Sequence, residues 1–150
     1  MKEALYITRK ESLRIAAFGI LTILLMITIM FGFGGLLDMF NSLLPNLLLG
    51  VMGLFLAIYF LSIPAAKLLY SNKVSPYLMG FLITIFSLEI GTFIASMLGY
   101  FTEGIDDVDG VFDYIAKPVF GILVWGFVPI VALSLILGIR LYNKFEKLEK

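Results

Sequence analysis

Residues Tyr77–Phe101, YLMGFLITIFSLEIGTFIASMLGYF, carry a single charged side chain, Glu89, in 25 positions. At 1.5 Å per residue a helix of that length reaches across the roughly 30 Å of a bilayer's hydrocarbon core. Three further charge-poor stretches have a similar length: Ile15–Leu37, Pro45–Leu69 and Lys117–Leu141. The whole chain shares their character. It is 61% hydrophobic and 15% charged, with a mean hydropathy of +1.03, whereas soluble domains are about 45–50% apolar and about 25% charged. Four spans take up roughly two-thirds of 150 residues, so no separate soluble domain is expected.

Punctuation along the chain sets the limits of these spans. Pro45 and Pro118 fall where a first helical turn would begin, a position at which a missing N–H costs nothing. Tyr6, Tyr70, Tyr77, Tyr100, Tyr114 and Tyr142 stand at or beyond span ends, as an interfacial aromatic belt requires, and only Tyr59 lies inside one. The 23 uncharged residues of 15–37 exceed the 7–15 of a secretory apolar region, and no Ala-x-Ala site follows, so this segment reads as a retained span. A short turn with Asp38, Asn41 and Ser42 is expected to join the first two spans.

Orientation is read from lysine and arginine in the connections. Lys2, Arg9, Lys10 and Arg14 precede the first span, Lys67 and Lys73 flank the second connection, and Arg140, Lys144, Lys147 and Lys150 follow the fourth span. The other side has Lys117 alone, against Asp38, Glu103, Asp106, Asp107, Asp109 and Asp113. The pattern predicts an all-α integral membrane protein, a four-transmembrane-helix bundle with both termini in the cytoplasm. A bacterial cytoplasmic (inner) membrane fits, with the acidic loop 102–113 outside. Leu141, Phe145 and Leu148, at i, i+4 and i+7, predict that the last helix runs on into the cytoplasm.

Composition also removes chemistry. With no Cys and no His, the chain has no thiol reactions, disulfides, Cys/His zinc sites, Fe–S ligation or His-ligated haem. No cofactor or metal is expected. The outer segment Asp106-Asp107-Val108-Asp109-Gly110 lacks the alternating ligands and closing Glu of a calcium loop and reads as solvated. Nothing points to nucleic acid.

Glu89 is the main candidate for function. It lies twelve residues from either end of its span, about 18 Å deep and beyond the reach of a short side chain to the interface. An ionised carboxylate there costs at least about 2.5–3.5 kcal/mol, so it must be neutralised, paired, or turned toward water or another protein. Thr92, Ser96 and Tyr100 follow at i+3, i+7 and i+11 and form one polar line with it. That line reads either as an ion or proton path or as interhelical hydrogen bonding, and Thr and Ser can also bond their own i−4 carbonyls. A second stripe, Ser87, Gly91, Ala95 and Gly99, occupies roughly the opposite face, where small residues at a spacing of four let a second backbone approach closely. The interior prolines Pro64 and Pro129 are expected to kink their spans, the latter with Gly126 three residues before it.

No family fingerprint emerges. The leading expectation is a small non-enzymatic subunit or partner protein in a membrane assembly, packing through the third helix against another membrane protein or copies of itself. The alternative is a homo-oligomeric channel or a proton- or cation-coupled transporter using Glu89.

Overall fold

A computed structural model describes residues 1–103 and 110–148, the side chains of residues 36, 39, 40, 42, 43, 102, 103 and 125 excepted. The described residues form helices and no strand: α1 (Lys2–Tyr70), α2 (Pro76–Glu103), a π-helical turn (Phe112–Ala116), α3 (Lys117–Trp125) and α4 (Phe127–Phe145). Four helical segments are long and apolar enough to cross a membrane: Lys2–Gly35, Leu44–Tyr70, Pro76–Phe101 and Phe127–Phe145. Helix suits such sequences because each backbone N–H and C=O is satisfied within its own segment.

The first reversal differs from the expected turn at Asp38–Ser42. Within α1 the break is at Gly32, with φ 72° and ψ 176°, while residues 33–70 continue as helix through Pro45 and Pro64. This backbone region is almost exclusive to glycine, so the break occurs at Gly32 and not at the polar residues that follow. The two arms then run side by side. Ala4 shares a core cluster with Ala65, Ala66 and Leu69, and Arg9 Nε donates to the Tyr59 carbonyl at 3.3 Å.

The second reversal is built from local signals. Asn72 adopts φ 52°, Asn72 N–H bonds to the Leu69 carbonyl and Lys73 N–H to that of Leu68, a Schellman closure in which Asn takes the left-handed position. Ser75 then caps α2, its Oγ accepting from Leu78 N–H, and Pro76 takes the first helical position. The third connection ends in the π-helical turn, where Lys117 N–H reaches the Phe112 carbonyl. Lys117, isolated among acidic residues in the sequence, forms an ion pair with Asp113.

Neighbouring helices meet through glycine. A Cβ on Gly91 would lie 2.8 Å from the Gly50 carbonyl oxygen, and one on Gly80 would lie 2.8 Å from both Gly138 N and the Ser134 carbonyl oxygen. At such contacts lipid-embedded helices gain dispersion and backbone proximity that larger side chains would prevent. The fourth wall is the pairing of the first arm with α4, where Leu133 packs on Gly19. Residues from all four spans, among them Ser12, Leu54, Ser87 and Leu133, surround a small central cavity of about 70 Å³.

The best-packed part of the bundle is the end that gathers both termini and the 71–75 connection. Ala4, Leu69, Met79, Leu141 and Phe145 are buried there. The last helix ends at Phe145 and residues 146–148 form a turn, so the expected extension amounts to one helical turn beyond Leu141. Its apolar stripe finds a partner at once: Leu141 and Phe145 are buried in this chain's own core and Leu148 packs on it.

Candidate functional site

Serine and threonine hydroxyls in the spans largely turn back on their own helices. Thr8, Thr22, Thr28, Ser62, Thr84, Ser87, Thr92 and Ser134 each donate to the carbonyl four residues earlier, at 2.6–2.9 Å. Such hydroxyls need no second helix. Thr92 is therefore tied to Leu88, while Ser96 and Tyr100 are half-buried and Tyr100 stacks edge-on against Phe101 at 5.5 Å.

Glu89 differs from all of them. Both carboxyl oxygens are buried and neither has a hydrogen-bond partner among the described residues. The residue as a whole is half-buried. Its i−3 and i+4 neighbours Phe86 and Phe93 are 53% and 45% exposed, which places Glu89 on the outward side of α2. Comparison with protein-family models, curated proteins and solved structures gives no match. The site therefore stands on its geometry. An unmet acceptor in the middle of an apolar helix carries a desolvation cost, and a donor or a cation would remove it.

The opposite stripe of α2 is occupied within the chain. Gly91 and Ala95 face Gly50 and Gly53 of the 44–70 span, Gly99 faces Asn46, and Ser87 is buried beside the central cavity. The two prolines behave differently. Helix continues through Pro64, so no backbone break accompanies it. The stretch expected as the fourth span, 117–141, divides at Gly126 into α3 and α4, and Pro129 then falls in the first turn of α4, where its missing N–H is tolerated. Asp106, Asp107 and Asp109 of the acidic loop lie outside the described residues.

One polar cluster has no counterpart in the sequence reading. Glu11, 3% exposed, receives Arg14 Nη1 at 3.1 Å on Oε1 and Arg140 Nη1 at 3.0 Å on Oε2. Arg9, two residues before Glu11 and so on the other side of the helix, lies 3.6 Å over the Tyr59 ring. A periodic signal was present: Ala4, Thr8, Glu11, Ser12 and Ile15 recur at helical spacing and form the buried face of the first arm.

Proposed function

We propose that this protein is a small, non-enzymatic, multi-pass subunit of a larger membrane assembly. Both termini and the 71–76 connection lie on the cytoplasmic side, in a bacterial-type inner membrane. The observation that carries the reading is Glu89, whose carboxyl finds no donor among the described residues and sits between outward-facing phenylalanines on α2. The third span thus packs inward with its small residues, and its Glu89 side is the docking face for a span of another polypeptide that brings a donor to mid-membrane depth. The basic end of the bundle supports the orientation, because lysine and arginine are retained on the cytoplasmic side of short connections.

The decisive measurement is the mass of the particle released from lipid nanodiscs. Wild type is expected with a second polypeptide bound and Glu89→Leu without it; a stable monomer for both would reject the assembly. Reporter tags at the two ends and at Ser71–Pro76 should all report the same membrane face.

A second reading uses the same carboxyl as a proton or cation acceptor. Ser96 and Tyr100, half-buried on its side of α2, support it. Proton flux into liposomes containing the chain alone should then fall in Glu89→Gln, and equal flux would remove Glu89 from any transport role.

A further inference from the structure

The clamp around Glu11 shapes a second feature, on the outside of the bundle. Arg14 and Arg140 arrive from different spans and are held side by side because one buried carboxylate accepts from both. Each guanidinium uses Nη1 for this contact, and its Nε and Nη2 have no acceptor among the described residues. The two side chains remain 55% and 49% exposed.

Between the first arm and α4 these arginines line a groove of about 440 Å³ whose other lining residues are Ile15, Phe18 and Ile136. Ile15 and Phe18 follow Arg14 by one and four residues, and Ile136 precedes Arg140 by four. On both helices the path away from the basic end therefore passes from guanidinium to hydrocarbon within about one turn. Phe18 is 55% exposed, so the apolar part opens outward. Arg14 and Arg140 also bracket the uncharged runs of their spans, which puts them at headgroup depth.

We propose that this groove binds an anionic phospholipid, with its phosphate between Arg14 and Arg140 and an acyl chain along Ile15, Phe18 and Ile136. Free guanidinium N–H groups in a planar fork match phosphate oxygens, and basic pockets between spans at the inner leaflet recognise anionic headgroups. Glu11 is a positioning residue: it fixes both arginines and leaves the cluster a net positive charge. The proposal rests on the membrane reading of the spans and is independent of any docking at Glu89.

The test is native mass spectrometry of the full chain released from nanodiscs containing equal amounts of phosphatidylglycerol and phosphatidylcholine with identical acyl chains. Wild type should retain phosphatidylglycerol preferentially, and the preference should fall about fivefold for each arginine replaced by Gln. Because Arg14→Gln/Arg140→Gln strands a buried carboxylate, Glu11→Gln/Arg14→Gln/Arg140→Gln serves as the variant without an orphan charge, and it should hold both lipids equally. Lys67→Gln, away from the groove, should keep the wild-type preference. Equal retention of the two lipids by wild type would overturn the proposal, as would an unchanged preference in the triple variant or an equal loss in Lys67→Gln. Displacement of the lipid by excess inorganic phosphate would also overturn it, by showing a site for a free anion without an acyl-chain contribution.

Discussion

Glu11 and Arg140 are 129 residues apart in the chain and 3.0 Å apart in space, joined by a hydrogen-bonded ion pair at the basic end of the bundle. The contact closes the ring of four spans, since it ties the first helical arm to the last helix. Arg14 reaches the other oxygen of the same carboxylate from one turn along, so the two arginines share a single buried acceptor.

That sharing predicts non-additive energetics. Arg140→Gln alone leaves Arg14 on the carboxylate and should cost about 1 kcal/mol, the scale of a half-exposed charged pair. Arg14→Gln/Arg140→Gln leaves the buried carboxylate without a partner and should cost about 3 kcal/mol, more than the sum of the single losses. Adding Glu11→Gln should recover part of it. Unfolding of wild type, Arg14→Gln, Arg140→Gln, the double and the triple variant in one detergent provides the cycle; strictly additive losses with no recovery would show that the carboxylate is solvated and not clamped.

The glycine contacts predict a sharp contrast between positions that look alike in the sequence. At Gly91 a methyl group would meet the Gly50 oxygen at 2.8 Å and Leu54 N at 3.2 Å, both backbone atoms that cannot rotate away. At Gly121 no atom of the described residues lies within 4 Å. Gly91→Ala should therefore destabilise by about 1–3 kcal/mol through overpacking, and Gly121→Ala should be neutral or stabilise by up to about 1 kcal/mol through helix propensity. Thermal unfolding of the pair checks this, and equal shifts would refute the close crossing of α2 with the 44–70 span.

Gly32 gives a backbone test free of packing. Its φ of 72° with ψ of 176° suits almost no other residue, and among the described residues no atom lies near its would-be Cβ. Gly32→Ala should cost about 1–3 kcal/mol from backbone strain alone, whereas Gly34→Ala, equally open but without positive φ, should cost nothing. Equal stabilities would place the reversal elsewhere.

These residues also show what a sequence can carry. The four apolar stretches were legible because lipid demands continuous runs of uncharged residues, a requirement that no tertiary contact has to complete. The end of the bundle at which the termini meet followed from charge in the same way. The reversal at Gly32 was hidden because Asp38, Asn41 and Ser42 offer a stronger polar turn signal, although only a glycine adopts the required dihedral angles. Glu11 was hidden for a different reason. Beside Lys10 and Arg14 it reads as one charge in a solvated tail, and its second partner, Arg140, comes from the far end of the chain, beyond any local spacing rule. The outward place of Glu89 was half legible: the small stripe opposite it marked a packing face, but the face turned toward the chain's own 44–70 span emerged only from the Gly50–Gly91 crossing.

Glu89 predicts a conflict between stability and function. Its oxygens are buried without a donor among the described residues, so the carboxyl contributes desolvation cost and no compensating bond from them. Glu89→Leu, which keeps a similar side-chain volume, should raise the stability of the purified chain by about 1–3 kcal/mol, the cost of an unmet buried polar group. Glu89→Gln should gain less, because an amide still brings polar atoms that need partners. Under the assembly proposed above, the same Leu variant should also lose the second polypeptide, as sites kept for function commonly lower stability. Measured side by side, the unfolding midpoint and the particle mass separate the two effects. A Leu variant no more stable than wild type would mean that the carboxyl already has its partner inside the chain, and a face with nothing left to satisfy would give no reason for another span to dock there.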